Sequence, residues 1–214
     1  MRSPLFLKTT ALLASLALLT SCGRSENATT AAATPKPAPI FATLETDQGA
    51  IEIELLSGDA PKTVENFRLL TERGYYNGLT FHRIVKGFML QGGDPLGNGK
   101  GGESAWGKPF DDEIQKNSPL YQLGAGYVRG IVAMANAGPN TNASQFFILQ
   151  KDYPLPPNYT IFGRVVKGIE VVDALADTPT KRGMDGMMSQ PLTPPVIKKI
   201  TIHKADAPAA PATH

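Results

Sequence analysis

Phe81-His82-Arg83-Ile84-Val85-Lys86-Gly87-Phe88-Met89-Leu90-Gln91-Gly92-Gly93-Asp94 reads as two short strands that meet at Lys86-Gly87. Successive side chains of an extended chain point to opposite faces. The alternation therefore predicts that Phe81, Arg83 and Val85 share a side. Past the turn, Phe88 and Leu90 are expected on one face, and Met89 and Gln91 on the other. One arginine and one glutamine then stand among large apolar side chains. Apolar surface with a few convergent polar groups is how ligand pockets are built, the first supplying affinity and the second orientation.

Working outward, Phe41 to Thr46 and Ala50 to Leu55 form an expected hairpin around Asp47-Gln48-Gly49, with Ile51, Ile53 and Leu55 inward. Asp59-Ala60-Pro61 opens a helix, proline being favoured at the first helical position. Val64, Phe67 and Leu70 or Thr71 make its buried stripe, and Gly74 ends it. Downstream, strands are expected at 131–134, 145–149, 160–166 and 196–203, with a short helix over 168–177. Segments 94–112 and 177–195 read as loops, the second an excursion without period. About eight short strands, two helices, no repeat and no strand–helix alternation favour an antiparallel sandwich or barrel.

Arg83 is costly inside an apolar strand unless it is paired or used. A buried ion pair with a carboxylate is one reading, and a ligand-facing role is the other. Gln91 and Gln145, each beside large apolar residues in a strand, favour the pocket. His82 alternates away from Arg83 and is expected to brace the site from behind. Other chemistry finds little support. Gly97 to Gly102 fits a dinucleotide-type glycine pattern, but no phosphate-capping helix follows. Pro109 stands where a Walker loop needs Ser or Thr. The three histidines, His82, His203 and His214, show no metal-ligand spacing, so no metal and no cofactor are expected.

The chain's beginning carries an address. Arg2 and Lys8 precede a run of about a dozen apolar residues, too short for a membrane span of roughly 20. The pattern reads as a signal peptide over 1–21. Leu19-Thr20-Ser21-Cys22 resembles the bacterial lipobox, which implies lipid on Cys22, the only cysteine of the 214 residues. A stray cysteine beside an ordinary cleavage site is the plainer alternative. Residues 22–39 are dominated by Ala, Thr and Pro, with few large apolar residues, a linker that buries too little to fold; fully stretched it reaches about 50 Å. The domain is expected over 40–204 and an Ala/Pro tail over 205–214. Loss of residues 1–21 takes the net charge from +2 to zero, which argues against nucleic acid as a partner. The expected location is extracytoplasmic, lipid-anchored to the cell membrane or an outer membrane.

The opening stretch resembles the signature of cyclophilins, a family of peptidyl-prolyl cis-trans isomerases. Three further blocks agree in order: Asn98-Gly99-Lys100-Gly101-Gly102-Glu103-Ser104, Met134 to Ile148 around Asn136-Ala137-Gly138-Pro139-Asn140-Thr141-Asn142, and Phe162-Gly163-Arg164-Val165. The resemblance implies a mainly β domain, a closed eight-stranded antiparallel barrel capped by two α-helices. It implies isomerisation of proline-containing polypeptides by a monomer, assisting folding. By position, Arg83 matches the catalytic arginine, with Gln91 beside it. Phe88, Met89, Phe147 and Leu155 match the proline pocket. Ala135, Asn136 and Gln145, with Gln91, match the backbone groove; Gly99 and Ala137 match its rim, and His82 is counted with the substrate-binding residues. Tyr159 stands where the family often has histidine. Tyr153-Pro154-Leu155 lacks the family's usual tryptophan before the leucine, and Trp106 does not replace it. The rival to an enzyme is a tethered non-catalytic binder of proline-containing segments.

Overall fold

The computed structural model describes residues 38–115, 118–122 and 127–205. Cys22, the expected signal peptide and nearly all of the linker and tail lie outside the described residues.

Eight strands form one antiparallel sheet: β1 (Ile40–Thr46), β2 (Ala50–Leu55), β3 (Arg83–Val85), β4 (Met89–Gly92), β5 (Ile131–Met134), β6 (Phe146–Leu149), β7 (Ile161–Lys167) and, last in the chain, β10 (Ile197–Lys204). Their order across the sheet is β10-β1-β2-β7-β5-β6-β4-β3. The sheet curls, so that its end strands β10 and β3 approach each other. Between them stand one isolated bridge, Thr80 to Val196, and three backbone hydrogen bonds at 2.8–2.9 Å. No ladder joins the two ends, so the result is a curled open sheet, and the closed barrel expected from the resemblance is not confirmed.

Inside the curl sits an aromatic core. Phe67 of α1 (Pro61–Glu72) meets Tyr76, Phe162 and Phe146 at centroid distances of 5.1, 5.3 and 5.7 Å. Edge-on and tilted contacts of this kind are favourable beyond their buried area. The stripe expected on α1 is the one that is buried, with Thr63 and Asn66 added. Its N-terminus begins at Pro61 as expected, yet no local side chain caps it. Glu113 does so from the far loop, accepting from the Lys62 and Thr63 N–H groups at 3.0 and 2.7 Å. A carboxylate there satisfies otherwise orphaned donors. A second helix, α2 (Pro119–Gln122), is short, and α3 (Ile169–Ala176) buries Val172 and Leu175.

Two face assignments in the opening stretch differ from expectation. Phe81 packs inside the curl with Ile84 and Leu90, not with Arg83 and Val85. The strand begins only at Arg83; before it, Thr80 and Phe81 reach across to Val196 and Pro195, which breaks the alternation. Phe88 packs with Met89 on the outer cluster, not with Leu90. It belongs to the turn, and β4 starts one residue later.

The largest correction concerns 177–195. This stretch is not a formless loop: β8 (Thr180–Arg182) and β9 (Met188–Pro191) pair as a hairpin of their own, and β9 lies against β3. Gly186 takes the left-handed conformation in its tip at φ 76°, which a glycine adopts without strain.

Candidate active site

Arg83 pairs with Gln91 across β3 and β4, and Met89 with Val85. The register puts all four on the outer face, opposite the buried Ile84 and Leu90. Strand β6 continues this face with Phe147, which is paired with Gln91. Gly87, at φ 82°, turns the chain between β3 and β4, and its N–H donates to Gln150 Oε1 at 2.7 Å.

A cavity of about 220 Å³ opens on this face. Phe88, Met89, Phe147 and Leu155 supply its apolar surface, and Tyr159 closes one side. Arg83, Gln91, Ala135 and Asn136 complete it. Phe147 is held edge-on by Tyr159 at 5.5 Å and 87°. Tyr127 fixes the Tyr159 backbone, its hydroxyl donating to the Tyr159 carbonyl at 2.9 Å and accepting from the Tyr159 N–H at 3.1 Å. Tyr153, two residues before Leu155, lies over Phe88 with ring centroids 4.0 Å apart. Trp106 packs on Phe110.

The polar side of the cavity is a chain of hydrogen bonds. Gln145 Nε2 donates to the Gly101 carbonyl at 2.8 Å, and Gln91 Nε2 donates to Gln145 Oε1 at 2.9 Å. Gln91 Oε1 is left to accept from Arg83 Nη1 at 3.4 Å. The glycine loop therefore steadies the arginine through two glutamines. That loop is itself pinned by Asp94, which is buried and accepts from the N–H groups of Leu96, Asn98 and Gly99 at 2.9, 3.0 and 2.6 Å. Burial raises the Asp94 pKa, but the backbone donors outweigh it and hold the carboxyl below 3.8. Gly93 and Gly102 pass so close to Ser144 that a Cβ on either would sit 2.4 Å from one of its oxygens. The loop supports the site, and Gly93 and Gly102 serve close packing.

Sequence reasoning missed Arg83's partner. The Arg83 Nε–H donates to Asp185 Oδ2 at 2.8 Å, each side chain being 28 % exposed. Arg83 is thus paired, in a partly exposed ion pair where the ion-pair reading had a buried one, and it also lines the cavity. Asp185 accepts in addition from the Ser189 hydroxyl at 2.7 Å and the Met187 N–H at 3.0 Å. These donors, with Arg83, overcome the effect of burial and bring its pKa to about 2. The only cue in the sequence is the turn-like Gly183-Met184-Asp185-Gly186, 102 residues from Arg83.

Of the other expected site residues, His82 and Gly99 line a second, neighbouring cavity, and Gln145 reaches the first through Gln91. Ala137 lines neither; it is exposed in a turn, its N–H donating to Thr141 Oγ1 at 2.8 Å. Among the described residues, no group of three or more His, Cys, Asp or Glu side chains is placed to hold a metal ion.

Residues 41–202 match the family model described as cyclophilin type peptidyl-prolyl cis-trans isomerase/CLD. Peptidyl-prolyl cis-trans isomerase-like 3 of Gallus gallus is 50 % identical over 165 residues, covering 75 % of this chain and 94 % of the relative. Peptidyl-prolyl cis-trans isomerase CYP18-1 of Arabidopsis thaliana is 48 % identical over 162 residues, with the same coverage. Among solved structures, a cyclophilin type isomerase of Cryptosporidium parvum superposes with a TM-score of 0.69 at 39 % identity, covering 78 % of this chain and 99 % of that one. The same protein in the presence of the dipeptide Ala-Pro gives 0.67 at 40 %, covering 77 % and 99 %.

Proposed function

The chain belongs to the cyclophilin-type peptidyl-prolyl cis-trans isomerase family, and from that premise we propose how its site turns an X-Pro bond and where it does so. One observation carries the reading: Arg83 stands at the edge of an apolar cavity of about 220 Å³, beside the surface that would take a proline ring.

The barrier to rotation is about 18–20 kcal/mol because amide resonance must be broken. No covalent intermediate is needed; the enzyme has to bind the twisted amide better than either planar form. Phe88, Met89, Phe147 and Leu155 hold the ring. Ala135, Asn136 and Gln145 hold the peptide that precedes it. As the bond twists, the proline nitrogen loses conjugation, becomes pyramidal and gains a lone pair able to accept a hydrogen bond. Arg83 donates to it. A guanidinium carries five N–H donors; with Nε engaged by Asp185, the terminal nitrogens remain for the substrate. Gln91 steadies one of them.

The substrate is a proline-containing polypeptide, in keeping with the Ala-Pro dipeptide present with the related Cryptosporidium parvum structure. The setting is extracytoplasmic: Cys22 carries lipid on a membrane, the 22–39 linker holds the domain clear of it, and the protein acts as a monomer on clients that are folding. Palmitate labelling lost in Cys22→Ser supports the anchor, and labelling that persists refutes it. For the reaction itself, cis-trans exchange in an Ala-Pro-Phe peptide is followed by NMR with residues 23–214. Acceleration supports the mechanism. Peptide binding by the folded protein without acceleration would leave only a tethered binder.

A further inference from the structure

The chain has six methionines, and three of them, Met184, Met187 and Met188, fall within five residues of the β8–β9 hairpin. All three are exposed, at 78, 42 and 57 %, whereas Met89 and Met134 are 1 % exposed. Two of these sulfurs flank the guanidinium of Arg83. Nη1 donates to Met89 Sδ at 3.7 Å and Nη2 to Met187 Sδ at 3.9 Å. A thioether is a weak acceptor, so neither contact holds the arginine strongly. Nε is already engaged by Asp185, and Gln91 approaches Nη1. Among the described residues, only Met187 faces Nη2, which makes it the nitrogen most open to a substrate.

Access separates the two sulfurs. Met89 is closed into the apolar cluster with Phe147 and Leu149. Met187 stands at the surface of the hairpin and lines neither cavity. Its backbone is nevertheless fixed: its N–H donates to Asp185 Oδ1 at 3.0 Å, and its carbonyl accepts from the Gly183 N–H at 2.8 Å. The side chain therefore starts from a set point beside Arg83, whatever is done to its sulfur. Oxidation of methionine turns a flexible apolar group into a polar one. We propose that Met187 is a modification site, at which peroxide forms the sulfoxide and the new oxygen occupies Arg83 Nη2, slowing the enzyme. This rests on the prolyl isomerase reading above.

In the oxidation, a lone pair of the Met187 sulfur attacks one oxygen of hydrogen peroxide. The O–O bond breaks, an S–O bond forms, and the second oxygen leaves as water with both protons. Sulfur loses two electrons and peroxide gains them. The sulfoxide oxygen carries much of the negative end of a polar bond, and a hydrogen bond to it from a guanidinium is charge-assisted, about twice as strong as a neutral one. The twisted proline nitrogen must then displace that oxygen to reach Nη2. Because the displaced contact is one made in the twisted state, kcat falls and KM scarcely moves. Methionine sulfoxide reductases restore the thioether, two thiols giving a disulfide and water as the oxygen is removed. Met184 and Met188 are open to the same oxidant, but no hydrogen bond joins either to Arg83 among the described residues.

The test treats three proteins with hydrogen peroxide: the parent, Met187→Leu, and the double variant Met184→Leu with Met188→Leu. Mass spectrometry of peptides follows each methionine, and the dose is set so that Met89 and Met134 stay unoxidised. Exchange of an Ala-Pro-Phe peptide by NMR then gives kcat and KM, each divided by the value of the same protein untreated. In the parent and the double variant, kcat is expected to fall about tenfold, the scale of one hydrogen bond to a charged donor. KM should stay nearly constant, and sulfoxide reductases acting on both epimers should restore kcat. Met187→Leu is expected to keep most of its activity, although Cys22, Met184 and Met188 remain in it. A Met187 sulfoxide with unchanged kcat overturns the switch, as does an equal loss in Met187→Leu. A Met187 that stays reduced while Met184 and Met188 are fully oxidised overturns the modification site. An untreated, folded parent that does not accelerate exchange overturns the prolyl isomerase mechanism and the switch together.

Discussion

Arg83 and Asp185 meet at 2.8 Å across 102 residues of chain, one on a strand of the main sheet and the other on the separate hairpin β8–β9. The contact fixes the arginine at Nε while Gln91 touches Nη1 at 3.4 Å. A side chain with several rotatable bonds is thereby held near one orientation before substrate arrives, which lowers the entropy to be lost in the twisted state. Asp185→Asn keeps the shape and removes the charge. A partly exposed pair of this kind is worth on the order of 1 kcal/mol, so kcat is expected to fall roughly fivefold. KM should scarcely change, and the urea midpoint should fall by no more than the pair is worth. A lowered midpoint with an unchanged kcat would make Asp185 a merely structural residue.

Asp94 pins the glycine loop, and its folded pKa lies below 3.8. A depressed carboxylate stabilises the fold above its unfolded pKa, and that contribution disappears as pH falls through the folded value. Relative to the parent, Asp94→Asn is expected to lose about 1–3 kcal/mol near neutrality, the cost of weakening buried hydrogen bonds to a charged acceptor. The gap should begin to narrow below about pH 4 and close only below the folded pKa. Urea unfolding of both proteins at pH 7 and pH 3 checks it.

How much of this could be read from the chain follows the range of the interactions. Alternation gave the β1–β2 hairpin and, through Arg83 and Gln91, the polar hooks of the cavity, because strand periodicity is local. It misplaced Phe81 and Phe88, each just outside a strand, where a bridge or a turn resets the pattern. The helix cap was unreadable, since Glu113 reaches Lys62 from 51 residues away. So was the Asp185 contact: three-residue β8 and four-residue β9 are too short to carry a period. Of the residues that the cyclophilin-like blocks point to, Gln145 and Ala137 line neither cavity, and Gln145 reaches the first only through Gln91.

His82 also contributes a pH dependence. Its folded pKa lies below the ordinary 6.5, burial being the largest cause. In the window below 6.5 the unfolded chain binds a proton that the folded one refuses, so stability falls as the solution is acidified toward the folded pKa. Above that window the contribution is complete. Urea midpoints measured across pH 5 to 8 are expected to slope down toward acid in the parent. The slope should be shallower in His82→Phe, and an identical slope would place the titration elsewhere.

Tyr153 covers Phe88, a wall residue of the proline cavity, with ring centroids 4.0 Å apart. Removing the Tyr153 ring uncovers Phe88 without touching Arg83. Tyr153→Ala is expected to raise KM by about three- to tenfold, the scale of one aromatic pair, and to leave kcat nearly unchanged. A fall in kcat with constant KM would mean that the wall acts in the twisted state alone.

The central claim is that Arg83 stabilises the twisted bond and contributes little to holding the ground state. The measurement that addresses it most directly is NMR exchange of an Ala-Pro-Phe peptide, with binding titrated in parallel, in the parent and in Arg83→Ala. The account predicts a loss of about a hundredfold or more in exchange rate, comparable to losing one preorganised donor. Peptide affinity should change only a few-fold and the domain should stay folded. An Arg83→Ala protein that turns the bond at the parental rate would contradict it.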